Sequence, residues 1–235
     1  MRPDETIRCL DELVQSRSIL AHPFYLAWQR GELTRAQLVT YATVYYPHVA
    51  AFPGYLERAI RGATDPVIRA ELAGNLDDEL SSPAAHSELW LDFAEEVGAD
   101  RATVASADAS VATARTVEAF RAVAAGDTAS AVAALYAYES QQPEVAAQKI
   151  AGLREHYGVT SPRALAYFEV HAEADIRHSE GERDAIMECL AEGASHERVL
   201  ESAGRALDAY WGLLDGICVE AGIENPTDAM TTGSQ

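Results

Sequence analysis

No stretch of this chain alternates apolar and polar residues with period two beside a hairpin turn signal, so a β-sheet has nothing to build on. Apolar residues recur instead three and four positions apart almost from end to end, and most runs are bounded by recognisable helix start or stop signals. The expected fold class is all-α. Leu10, Leu13 and Val14 share one face of a helix over about 4–17. A short helix over about 22–30, holding His22, Phe24, Tyr25 and Trp28, stops at Gly31. Thr34 with Gln37 forms a capping box for a helix that carries Pro47 and Pro53, where a bend is expected. Asp65 and Pro66 start a helix that runs to about Val97, closed by Gly98. Further helices are expected over about 106–125, 128–157, 162–194 and 196–221. Residues 1–222 read as one domain, and 223–235, which lack periodicity, as a disordered tail.

At 235 residues, 48% of them hydrophobic, the chain can bury one substantial core. Its net charge of -19 argues against nucleic acid or an anionic membrane as partner. No stretch approaches the roughly 20 apolar residues of a membrane span, and MRPDETIRCLDEL lacks the apolar centre of a secretion signal. Cys9, Cys189 and Cys218 are far apart, odd in number and without CxxC spacing. Neither a disulfide framework nor a zinc cluster is expected from them, and a reducing cytoplasm fits.

Six residues carry the chemistry. His171, Asp175 and His178 fall at i, i+4 and i+7 of one segment, a narrow stripe on a helix. Glu79 and His86 are seven apart, which is two turns of the expected 65–97 helix. Glu139 sits among Ala, Leu and Tyr in SAVAALYAYES, where a carboxylate is buried and needs a cation beside it. Pro83 follows Glu79 by four residues and Pro143 follows Glu139 by four. A proline inside a helix presses on the carbonyl four residues back, so an opened or kinked helix is expected at both glutamates. Singly, an acid and a histidine seven apart read as a solvated pair. Three carboxylates and three imidazoles on three inner faces read as a mixed oxygen and nitrogen set for two redox metals in a helical bundle. His22, His48, His156 and His196 have no partner at helical spacing and read as surface or satisfied core groups; Trp28, Trp90 and Trp211 read as core.

In their order, these six residues resemble the haem-oxygenase-like dimetal oxidases. YAYESQQPEVAAQKI and YFEVHAEADIRHS are most similar to the group named for the chlamydial protein that associates with death domains. The resemblance runs from about residue 5 to 221. It implies a bundle of about seven helices without haem, holding two metal ions, Fe/Fe or Mn/Fe, on Glu79, His86, Glu139, His171, Asp175 and His178. It also implies O2 as co-substrate and an external reductant. Quinone-forming relatives share the fold without the metal; the complete ligand set here argues against that assignment.

Members of the group are implied to make para-aminobenzoate, a folate precursor, in one turnover from their own side chains. On this chain the consumed tyrosine falls on Tyr25 and the amino donor on Lys149, with Tyr41 and Tyr138 matching tyrosines near the metal site that can relay electrons. Lys149 is the only lysine among 18 basic residues. A lysine becomes a nucleophile when burial lowers its pKa, and arginine does not. It lies ten residues past Glu139, about 80° round an ideal helix from it. The same metal set also suits oxidation of an external fatty acid, amine or amino acid, and a non-catalytic interaction protein stands as a third reading. A homodimer stays open; no separate protein partner is expected.

Overall fold

The computed structural model describes residues 1–81 and 83–223. Its regular structure is eleven α-helices and one 3-10 turn, with no strand among the described residues. In chain order these are α1 (Pro3–Ser16), the 3-10 turn (Ile19–Ala21), α2 (Pro23–Gln29), α3 (Arg35–Gly62), α4 (Pro66–Ser81) and α5 (His86–Glu96). Then come α6 (Arg101–Ala105), α7 (Val111–Ala124), α8 (Thr128–Glu139), α9 (Gln142–Glu155), α10 (Pro162–Ala191) and α11 (His196–Ala221). The all-α expectation holds. No helix among the described residues is long and apolar enough to cross a membrane.

The helix starts expected from side chains form as caps. Thr34 Oγ1 accepts from Gln37 N at 3.3 Å while Gln37 Oε1 accepts from Thr34 N at 2.8 Å. Asp65 Oδ1 takes the backbone N–H groups of Val67 and Ile68 at 2.7 and 3.1 Å, supplying two of the donors a helix start leaves unpaired. Gly98 closes the turn after α5 with φ +99°, which a side chain would resist.

α8 is the centre of the molecule. Its sequence TASAVAALYAYE is apolar on every side, and a helix apolar all round belongs inside a bundle. All its residues from Ala129 to Glu139 are buried. α11 and α10 run against it, with α7 beside both α11 and α8, and α9 beside α10. α3 packs on α7, α4 and α5. The alanines of α8 let its neighbours close in, so the last residue of this central rod, Glu139, ends deep in the protein with 2% of its surface exposed.

Two expected segments divide. The 65–97 helix is α4 and α5, parted by residues 82–85, which include Pro83. The 128–157 helix is α8 and α9, parted after Glu139, with Pro143 in the first turn of α9. Both prolines end a helix where a kink was expected: without an N–H they return nothing to the carbonyls of Glu79 and Glu139. The 106–125 segment is α7, preceded by the short α6. Pro47 and Pro53, by contrast, lie inside α3 without interrupting it. The tail expected over 223–235 falls, from residue 224 on, outside the described residues.

Candidate metal centre

The six expected donors converge as two buried triads, Glu79–His86–His171 and Glu139–Asp175–His178. Within each, one donor atom per residue lies within 4.8 Å of the other two. α4 supplies Glu79, the first residue of α5 is His86, the last of α8 is Glu139, and α10 supplies the other three. One expectation changes: Glu79 and His86 do not share a helical stripe. The break at Pro83 turns α5 back, and His86 Nδ1 comes to 2.9 Å from Glu79 Oε1. Four helices, rather than three, therefore build the site.

The histidines are turned by partners behind them. His171 Nδ1 donates to the Tyr167 carbonyl at 2.6 Å, leaving Nε2, 3.7 Å from Glu79 Oε1, as the inward atom. His178 Nε2 meets Asp78 Oδ2 at 3.1 Å, and its Nδ1 stands 3.3 Å from Asp175 Oδ1 and 3.6 Å from Glu139 Oε1. Asn75 Nδ2 donates to Glu139 Oε1 at 2.8 Å. An imidazole that gives its outer N–H to a carbonyl or carboxylate and keeps its inner nitrogen free is oriented as metal ligands are.

Burial opposes charge at Glu79, Glu139, Asp175, His171 and His178, and pairing overrides it at all but Asp175. Desolvation pushes the Glu79 carboxyl up, but His171 and His86 draw it down to about 2. Desolvation pushes His171 down, yet Asp175 and Glu79 lift it to about 9. His178 is lifted against the same opposition to about 11 by Asp175 and Glu139. Asp175 goes the other way: burial raises it to about 6. So many buried charges of both signs at one place are a marker of function.

The donor set fits metal on a further ground. His86 Nε2, Glu139 Oε2 and Asp175 Oδ2 are buried without a hydrogen-bond partner, and His86 Nδ1, although close to Glu79, does not line up as a hydrogen bond. Buried polar atoms are nearly always partnered, and a cation supplies the missing partner for each. Glu–His–His is the two-histidine, one-carboxylate set of non-haem iron; Glu–Asp–His is its oxygen-richer counterpart. Glu79, Glu139, His171 and Asp175 border a single cavity of about 10 Å³, walled by Tyr138, Tyr167, Val49 and Phe52. That is about the room one water occupies.

Residues 39–211 match the model of one protein family, described as iron-containing redox enzymes. The chain belongs to that family. It is an enzyme of the oxidase or oxygenase kind, with the haem-oxygenase-like all-α fold. A 4-aminobenzoate synthase of Nitrosomonas europaea is 42% identical over 219 residues, covering 88% of this chain and 89% of its own. Among solved structures, a CADD-like protein of Nostoc punctiforme superposes with a TM-score of 0.73 at 21% identity, over 93% of this chain and 98% of its own. A domain with a haem-oxygenase-like fold from Shewanella denitrificans superposes with a TM-score of 0.75 at 16% identity, over 100% of this chain and 97% of its own.

Beside the two buried triads stands an aromatic box. Lys149, 2% exposed, places Nζ 5.3 Å from the ring centroid of Tyr25 and 5.2, 5.5, 5.8 and 5.2 Å from those of Tyr41, Tyr45, Trp90 and Phe168. It donates to Tyr41 Oη at 2.5 Å. Burial lowers its pKa to about 7. Tyr25 is fully buried, and its hydroxyl makes no hydrogen bond. A line of phenols leaves the box: the Tyr41 and Tyr45 rings are 5.4 Å apart, and the Tyr45 hydroxyl meets those of Tyr138 at 2.9 Å and Tyr210 at 3.3 Å. Tyr138 is also a wall of the metal cavity. The structure thus brings Tyr25, Lys149, Tyr41 and Tyr138 into one connected cluster.

Sequence reasoning passed over Asp78, Asn75, Tyr45, Tyr210 and Glu182. Asp78 is hidden in the acidic run Asp77–Glu79, and Tyr45 follows Tyr41 at the spacing of ordinary core aromatics. Glu182 continues the α10 stripe one turn past His178 and had that signal. Its carboxyl is held well above the usual range, first by burial and then by Glu139. Of the four histidines set aside, His22 caps α2 by accepting from Phe24 N at 3.1 Å, and His156 and His196 have polar partners near the surface. His48 departs from the expectation: it is fully buried, and its Nε2 has no partner. Trp28 and Trp90 are core as expected, while Trp211 is half-buried against His22.

Proposed function

We propose that this chain is an O2-dependent dimetal oxidase that forms para-aminobenzoate from its own Tyr25, with Lys149 as amino donor, in a single turnover. The observation that carries the reading is the approach of Lys149 Nζ to the Tyr25 ring, 5.3 Å from its centroid, inside a box closed to water. The name of the 42% identical relative supports the product. Glu79, His86 and His171 hold one ion and Glu139, Asp175 and His178 the other, and the bound pair, Fe/Fe or Mn/Fe, supplies the reduction of O2 with an external reductant.

The chain's residues do the rest. Tyr25 is its own substrate, so placement replaces binding. Its Cα–Cβ bond breaks, Cα taking a proton and an electron from the external reductant to leave a glycine at position 25, and Cβ is oxidised to the carboxylate by O2, which is reduced to water. The Lys149 amine condenses at the ring carbon that bears the phenol oxygen, which leaves as water; oxidation then puts the C=N bond at Cε, and its hydrolysis frees the nitrogen on the ring and leaves an aldehyde at Cε. With its pKa lowered to about 7, Lys149 offers a neutral amine with a free lone pair near neutral pH. Tyr41, Tyr45 and Tyr138 span the distance between box and metals as a path for electrons. The small cavity beside the donors, about 10 Å³, supports self-supply over an external fatty acid, amine or amino acid, which needs tens of times that space.

The single lysine makes the test clean. Protein grown on lysine carrying 15N in its side chain is labelled at one Nζ only. After anaerobic loading with Fe(II), with or without Mn(II), then reductant and O2 but no substrate, the expected product is 15N-para-aminobenzoate at no more than one per chain, with the mass loss at residue 25. Tyr25→Phe makes none while retaining its metals, and Lys149→Arg loses the amination. Unlabelled product, or many turnovers per chain, refutes the reading.

A further inference from the structure

Glu182 belongs to neither triad and has no role in the reading above. We infer that it is a fourth carboxylate ligand of the metal centre, serving the ion held by Glu139, Asp175 and His178. The inference rests on the dimetal reading.

Position comes first. His171, Asp175, His178 and Glu182 fall at i, i+4, i+7 and i+11 of α10, an arc of about 60° on an ideal helix. Glu182 therefore extends the ligand stripe by one turn. It is 2% exposed, and no N–H or hydroxyl reaches its oxygens; the polar group it meets is the Glu139 carboxyl. It meets the Glu139 carboxyl, and the charges of Asp175 and Glu71 nearby have its own sign. The neighbouring basic residue, Arg183, is turned away to Asp11 and the Tyr136 hydroxyl. A buried carboxyl that no N–H or hydroxyl reaches is costly for a core to hold. Glu139 Oε2 and Asp175 Oδ2 are also buried without a hydrogen-bond partner.

Charge comes second. Two divalent ions bring four positive charges, and Glu79, Glu139 and Asp175 return three. Glu182 returns the fourth, which leaves a neutral cluster in a site closed to water. That balance gives the burial of Glu182 a reason that packing alone does not.

The test is a Mn(II) titration of metal-free protein, read by the electron paramagnetic resonance of free Mn(II), for the wild type, Glu182→Gln and Glu182→Met. The wild type is expected to take up two ions. Glu182→Gln keeps the shape and can still donate to Glu139, but it lacks the charge. It is expected to weaken one of the two ions by about tenfold or more, the size of loss typical when a supporting carboxylate is removed, and to leave the other within about twofold. Glu182→Met removes ligation with an apolar chain of similar length and is expected to lose the same ion, with the circular dichroism of the metal-free fold unchanged. Two equally tight ions in Glu182→Gln would overturn the assignment and leave Glu182 as a clamp on Glu139. A wild type that binds fewer than two ions would remove the dimetal reading itself, and this inference with it.

Discussion

Replacing Lys149 by methionine in the metal-free protein tests whether the core holds a neutral amine. An unfolded chain keeps its lysine proton to about the ordinary value of 10.5, whereas the folded chain releases it near 7. Between those limits the unfolded state binds more protons, so the fold gains stability as pH rises. Folded Lys149 is half protonated at pH 7 and nearly neutral at pH 9. At about 1.4 kcal/mol per pH unit for a full proton difference, wild-type stability should rise relative to Lys149→Met by about 2 kcal/mol between pH 7 and pH 9. Losing the Nζ donor to Tyr41 also changes the variant's stability, but that offset is constant over this range, because burial holds the Tyr41 phenol well above 10. Urea unfolding of both proteins at pH 7, 8 and 9 gives the difference directly. Parallel pH profiles would refute the reasoning: the amine would then be charged in the fold and solvated by something other than its aromatic walls.

Three further outcomes follow from the geometry. His171→Ala should lose the ion of the first triad and keep that of the second, read by metal analysis after desalting; full occupancy of both would contradict the assignment of His171. Asp78→Asn should weaken the ion on His178 by about tenfold or more by removing the carboxylate behind Nε2, and an unchanged Mn(II) isotherm would show that Asp78 does not orient the ring. Gly152→Ala places a Cβ 2.6 Å from Trp28 Nε1 and must push α9 from α2; a loss of about 1–3 kcal/mol is expected in urea unfolding, and no loss would mean that this seam yields freely.

The six candidate donors are legible in the chain because a helix repeats its faces. His171, Asp175 and His178 show their stripe at a glance, and Glu139 is conspicuous as the one acid in an apolar helix. The prolines after Glu79 and Glu139 are equally visible, but their consequence is not. Pro47 and Pro53 leave α3 whole, while Pro83 and Pro143 end their helices. The local pattern alone does not tell the two pairs of prolines apart. The same holds for Tyr45 and Tyr210. Their spacing is that of any packed aromatic, and only the approach of α3, α8 and α11 aligns their hydroxyls. Asp78 and Glu182 escape for a different reason: in a chain with 37 acids, one more carboxylate on a helix carries little information until its surroundings are known.

The break between Glu139 and α9 has a consequence for how this architecture can vary. In one continuous helix, the angle between Glu139 and Lys149 is set by their ten-residue separation, and about 80° of it is error. Two helices joined by a short turn have independent rotations, each fixed by its own neighbours: α8 by α10 and α11, α9 by α10 and α2. The carboxylate and the amine are thereby modular. A substitution that rolls α9 about its axis re-aims Lys149 without disturbing Glu139, four residues before Pro143. Amine placement and metal affinity can accordingly drift, or be engineered, along separate coordinates of the same chain.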